Sequence, residues 1–159
     1  VALFTLSLIA LLLITLLLGV HLTGYLALNP ALRTMDAQVY VPVKRAIDVT
    51  APRLARPLML SCLVGVAVAT AAGALAGAVA SAVASAVALG ALVIALMAIL
   101  RGDLPINRAM AGWSADQPPA DWRATRTRWE YFFTLRTAAN AVAMLAASVA
   151  VGLGAVRLA

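Results

Sequence analysis

The sequence predicts an all-α protein: a four-helix transmembrane bundle with two polar, partly helical segments on one side. Three observations carry this. Of 159 residues, 64% are hydrophobic and 11% charged, against about 45–50% and about 25% in an ordinary soluble domain. The apolar residues, mostly Ala, Val and Leu, form long uncharged runs and lack the spaced pattern of a soluble core. Apart from Arg157, every charged residue lies within 29–56 or 101–136. The length suits one integral membrane domain over residues 1–159.

Residues 1–28 contain no Asp, Glu, Lys or Arg. A helix rising ~1.5 Å per residue needs about 20 residues to cross the hydrocarbon, so this is the first expected span. A signal peptide would want a basic leading region and a shorter apolar core. Residues 57–100 also run without a charge. As one helix they would measure ~66 Å, about twice the hydrocarbon thickness, so the run must fold back. The small residues of Gly77–Ser81 suit the reversal, giving spans of about 57–77 and 81–100. Arg136 and Arg157 bracket the fourth, about 137–157; an arginine at the centre of a span would cost ~2.5–3.5 kcal/mol.

Four crossings put both polar segments on one side, and these hold all the basic residues but Arg157. The excess of positive charge predicts that they are cytoplasmic and that both termini lie outside. It also explains the net charge of +6 by topology and not by nucleic acid, and makes membrane lipids the expected partners. Small residues at four-residue spacing, Gly73 with Gly77 and Ser81 with Ser85, let helix backbones approach closely. The contact they serve is either internal packing or the interface of a homo-oligomer or larger membrane complex.

One cysteine, Cys62, rules out a disulfide within the chain and reads as a buried structural thiol. With His21 the only histidine, no zinc site can be assembled, and no cofactor or metal is expected.

In the first polar segment, Asn29-Pro30 predicts a helix stop and a turn, followed by a short helix over 31–50 that breaks before Pro52. Arg33, Lys44, Arg45, Arg53 and Arg56 are expected to meet lipid phosphates. The second segment holds all three tryptophans, as interfacial anchors would be. Asp121 is placed to cap a helix that starts at Trp122 and runs into the fourth span.

On that helix Trp129, Phe133, Arg136 and Asn140, spaced by four, three and four, share a face. A second polar stripe, His21, Tyr25 and Asn29, ends the first span. If the stripes face each other, His21, Tyr25, Asn107, Arg136 and Asn140 line a partly buried polar pocket, and ionisable groups at membrane depth point to function. The plainer alternative has Arg136 snorkelling to phosphates while His21 and Asn140 satisfy helix contacts.

Pro105-Ile106-Asn107-Arg108, followed by Trp129 and Arg136 at the entrance to the last span, resembles the anthrone oxygenase-like family of small four-span membrane proteins. Asn29-Pro30-Ala31-Leu32 resembles that family's proline-containing segment. The resemblance implies oxidation of a lipophilic aromatic substrate, an anthrone or similar polyketide, without a metal or flavin. It carries over Asn107, Trp129 and Arg136. Between that Trp and Arg the family usually shows a histidine, where this chain has Phe133, which is neither base nor hydrogen-bond donor.

Two functions follow. In the first, a cofactor-independent oxygenase-like enzyme, His21 removes an acidic C–H proton with Tyr25 orienting it, and Arg136 and Asn107 stabilise the enolate-like oxygen. Trp129, Phe133, Asn140 and Asn29 would line the substrate. The second is a non-catalytic membrane protein, an accessory subunit or a bundle that binds lipid or quinone; the missing histidine favours it, the converging stripes the enzyme. A transporter or channel is a third reading: no acidic residue lies within any span, although four spans could still make a pore as an oligomer.

Overall fold

The computed structural model describes residues 1–157. Six α-helices follow one another: α1 (Ala2–Thr23), α2 (Asn29–Arg33), α3 (Ala37–Leu75), α4 (Val79–Ala98), α5 (Leu104–Ala111) and α6 (Trp122–Val156). A π-helical turn, Gly24–Leu28, joins α1 to α2, and another, Ile99–Asp103, joins α4 to α5. Among the described residues, four continuous helices are therefore long and apolar enough to cross a membrane: Ala2–Arg33, Ala37–Leu75, Val79–Ala111 and Trp122–Val156.

α1 and α4 each pack against both α3 and α6. This is the square of an all-α four-helix bundle with α1 and α4 on one diagonal. Inward residues recur at steps of three and four: Ser7, Ala10, Ile14, Leu17 and His21 on α1, and Met59, Cys62, Val66, Ala69 and Gly73 on α3. Ser81, Ser85, Ala88, Leu92 and Ala95 on α4, with Asn140, Ala143, Ala147, Ala150 and Gly154 on α6, continue the pattern. That is the heptad seam of a left-handed bundle. Alanine dominates it because helices in lipid associate through close backbone packing. Leu12, Leu16, Val64 and Leu145 point outward, where lipid solvates them.

The reversal comes at Ala76–Ala78, slightly ahead of the centre of the expected stretch, with Gly77 at φ +65°. Among the described residues, only there does the chain take up the left-handed conformation that glycine tolerates. Arg157 Nη2 donates to the Gly77 carbonyl at 3.2 Å. Ser81, expected in the turn, sits in α4 and donates to the Ala150 carbonyl on α6 at 3.2 Å. A Cβ on Gly73 would lie 3.2 Å from Ala82 Cβ and 3.3 Å from Ala82 N. Both small-residue pairs thus contribute to contacts within the chain.

The prolines depart from expectation. Asn29-Pro30 does not stop the helix, and α3 runs unbroken through Pro42, Pro52 and Pro57. A proline lacks its N–H and clashes with the carbonyl four residues back. Ahead of Pro30 the chain widens so that Asn29 N–H reaches the Gly24 carbonyl, and ahead of Pro105 Leu104 N–H reaches Ile99. The wider turn makes room for the ring without ending the helix. Each π turn also carries a glycine filled from α6: a Cβ on Gly24 would run into the Phe133 ring, and one on Gly102 into Phe132. In α3, Tyr40, Val41 and Lys44 are buried around Pro42, whereas no residue between Lys44 and Met59 is, and nothing in the structure explains why the helix continues through Pro52 and Pro57.

The two halves share one plan: a membrane helix, a π turn, a proline-led short helix, a connection, then a long helix. Asp36 precedes the first long helix and Asp121 the second. Asp36 caps by accepting from Val39 N–H at 3.0 Å, whereas Asp121 occupies the N-cap position without a side-chain bond. At one end of the bundle Leu32, Tyr40, Ile106, Trp122, Trp129 and Phe133 form a second, aromatic-rich core that joins segments 29–56 and 101–136.

Replacing Gly73 by Leu forces α3 and α4 apart and should destabilise the purified protein by about 1–3 kcal/mol. The outward Leu16→Ala change should move it by less than about 0.5 kcal/mol. Thermal unfolding in detergent measures both.

Candidate functional site

The polar stripes meet where α1 gives way to its π turn. Asn140, fully buried on α6, donates from Nδ2 to Nδ1 of His21 at 2.6 Å; His21 is 4% exposed. Phe133 lies beside them, its ring edge-to-face with the imidazole at 6.1 Å between centroids. The Arg136 guanidinium covers Phe133 at 4.1 Å from the ring centroid. Cation, aromatic ring, imidazole and amide therefore form one buried group on α1 and α6.

Arg136 ends in a charge-assisted hydrogen bond from Nη1 to Oδ2 of Asp103, which is 1% exposed. The second π turn carries this carboxylate, and the extra residue turns it inward from the end of α4. One turn further, Asn107 accepts from Lys44 Nζ at 2.9 Å. Lys44, also 1% exposed, donates to both oxygens of Asp48 at 2.6 Å and lies 4.2 Å from the Trp129 ring centroid. Lys44 and Trp129 both stand seven residues into their long helices, so equivalent positions of the two halves touch. Trp129 and Phe133, 5.2 Å apart, join this group to the first. Outside it Arg33 holds Glu130 at 2.7 Å, and Arg126 lies between Tyr40 and Trp122.

Of the residues singled out from sequence, His21, Phe133, Arg136 and Asn140 come together, with Trp129 adjoining. Asn107 faces Lys44 instead of joining Arg136. Asn29 is buried with its side-chain carbonyl unpartnered. Tyr25 is 40% exposed, and Asn140, not Tyr25, holds His21. Lys44, expected at lipid phosphates, is sequestered by Asp48 and Asn107. The sequence reasoning missed Asp103, Lys44, Asp48 and Glu130 as members of the site. Lys44 being the only lysine was a signal, and so was a carboxylate three residues after an apolar span. Among the described residues, no three His, Cys, Asp or Glu side chains gather as metal ligands would.

The buried charges balance: Arg136 with Asp103, Lys44 with Asp48. Each pair neutralises itself where an isolated ion would be prohibitive. A cleft of about 210 Å³ opens between α3 and α5, lined by Tyr40, Lys44, Asp48, Asn107 and Trp113 among others; His21 is not in its wall.

No family model, no curated protein and no solved structure matches this chain.

Arg136→Met or Asp103→Leu alone leaves the other charge buried and unpaired, at a cost of about 3–5 kcal/mol. The double variant should be more stable than the sum of the singles by at least ~1 kcal/mol, as contacting residues in a cycle are. Additive losses in chemical denaturation would contradict the pairing.

Proposed function

We propose that the protein is a membrane-embedded, oxygenase-like enzyme that acts on a lipophilic aromatic substrate of the anthrone type, without a metal or flavin. The observation that carries this reading is the buried His21–Asn140 pair with an aromatic ring and the Arg136 cation beside it. The family resemblance names the reaction. Phe133 occupies space between imidazole and guanidinium of the kind a flat substrate ring would use, edge against one and face against the other.

In the chemistry, His21 takes a proton from the activated methylene between two rings, and the electron pair delocalises onto the ketone oxygen. Arg136 favours that anion. Dioxygen accepts the pair, forming a C–O bond, and the peroxide regains the proton. Loss of water breaks the O–O bond and leaves a second carbonyl. For His21 Nε2 to hold the lone pair, Nδ1 must carry the proton, and a half-turn of the Asn140 carboxamide supplies its unpartnered oxygen as acceptor. Asn140 in this reading selects the tautomer.

A non-catalytic bundle binding a lipid or quinone, or serving as an accessory subunit, is favoured by one observation: His21 is sealed, and the cleft does not reach it. Turnover separates the two. The purified wild type should consume dioxygen and an anthrone in equal amounts, and His21→Ala, folded by thermal unfolding, should be slower by about 100-fold or more. Equal rates for the two proteins sink the catalytic assignment, and no turnover above a protein-free control favours the binding reading.

We also propose that segments 29–56 and 101–136 face the cytoplasm, because they hold all the basic residues but Arg157. In a Cys62→Ser background, an impermeant thiol reagent should label Arg128→Cys in inside-out but not in right-side-out vesicles.

A further inference from the structure

The two halves repeat one plan, but an ion pair of the first half has no counterpart in the second. Arg33 is the fifth residue of the proline-led α2, and Arg108 is the fifth of the proline-led α5. Glu130 follows Trp129 on α6 as Arg45 follows Lys44 on α3, and Trp129 and Lys44 are the equivalent positions that touch. Arg33 closes on the Glu130 carboxylate through two nitrogens, Nε at 2.9 Å and Nη2 at 2.7 Å. The matching positions in the other half hold Arg108 and Arg45, two cations. Neither makes an ion pair among the described residues.

A cavity lies at the same place. Arg45 and Arg108 both line the cleft of about 210 Å³ between α3 and α5. Lys44 and Asp48, also in its wall, neutralise each other at 2.6 Å, so the two guanidiniums are its uncompensated charge. Arg45 gives Nη2 to the Trp113 carbonyl at 2.7 Å and keeps its other donors, while Arg108 is exposed. The rest of the wall is largely apolar, with Val41, Val49, Met110 and Ala111. Arg45 stands twelve residues ahead of Pro57, where the uncharged run begins, or ~18 Å along the helix. The cleft is therefore clear of the hydrocarbon, where a solute reaches it from water.

We propose that this cleft binds a small organic carboxylate with an apolar body, whose carboxylate takes beside Arg45 and Arg108 the place that Glu130 takes beside Arg33. Guanidiniums hold carboxylates by short, charge-assisted hydrogen bonds, and the aliphatic wall receives the body of the acid. In one half the chain supplies its own acceptor; in the other the ligand does. The site uses none of the groups assigned to proton transfer, so it stands or falls separately from the oxygenase reading.

The test is titration calorimetry of the full chain in a non-ionic detergent, with empty micelles subtracted and sodium benzoate as the probe. Benzoate should give a saturable heat, and benzamide, its neutral counterpart of the same shape, should give none. Acetate, which lacks the apolar body, should bind more weakly by about tenfold or more. Arg45→Gln with Arg108→Gln should weaken benzoate binding by about tenfold or more, with thermal stability kept because both side chains are exposed. Arg45→Glu should abolish binding, and it should unfold at a higher temperature than Arg45→Gln only while Arg108 is present, because it restores the pairing of the other half. Equal heats for benzoate and benzamide, acetate binding as tightly as benzoate, or unchanged affinity in the double variant overturns the proposal.

Discussion

The Arg136–Asp103 pair is the contact on which the arrangement of this end of the bundle depends. Each ion alone would be prohibitive among apolar helices, and together they are tolerable. Their pairing sets the rotation of α6 against the α4–α5 helix. That rotation carries Phe133 to His21, Asn140 to the imidazole and Trp129 to Lys44. The polar group follows from that pair, and its hydrogen bonds leave Asp103 Oδ1, Arg136 Nε, Asn140 Oδ1 and Trp129 Nε1 unpartnered.

The two π turns make this geometry available. Each widens the helix just ahead of a proline and adds a residue, turning the next side chains relative to the span. In the second half this directs Asp103 inward; in the first it presents Gly24 to the Phe133 ring. The same plan in both halves, with Lys44 and Trp129 in contact at equivalent positions, describes a bundle of two like units whose polar chemistry is unequally shared. His21 has Leu96 at the corresponding place, and Arg136 has Ala51. One unit thus contributes the imidazole and the other the cation and amide.

Sealed and open chemistry lie side by side. The His21 group is enclosed by α1, α6 and the Phe133 ring, while Lys44 and Tyr40 line the cleft between α3 and α5. A substrate of the proposed enzyme would have to displace Phe133 or enter between helices. The separation explains why Asn107, which the sequence pattern groups with Arg136, works with Lys44 instead.

How much was legible depended on which physical signal each feature leaves. The four spans were readable because twenty uncharged residues in a row admit one interpretation, and the single reversal because ~66 Å of helix cannot fit a bilayer. The stripe Trp129, Phe133, Arg136 and Asn140 followed from helical spacing, and the start of α6 at Trp122 from Asp121 before it. Which face of each span turns inward was not readable, since Ala, Val and Leu cover all sides and leave no amphipathic contrast. Nor was the fate of Asn29-Pro30, because a proline's cost is local while the packing at the π turn ahead of it comes from Phe133 on α6. The sequence by itself determined the fold class, the uncharged spans and the crowding of charge between them. Only the tertiary structure decided the partners Arg136–Asp103, Lys44–Asn107 and His21–Asn140, since each joins residues on facing helix surfaces or across a π turn that shifts the register between them, whereas Lys44–Asp48 is a four-residue pair within α3.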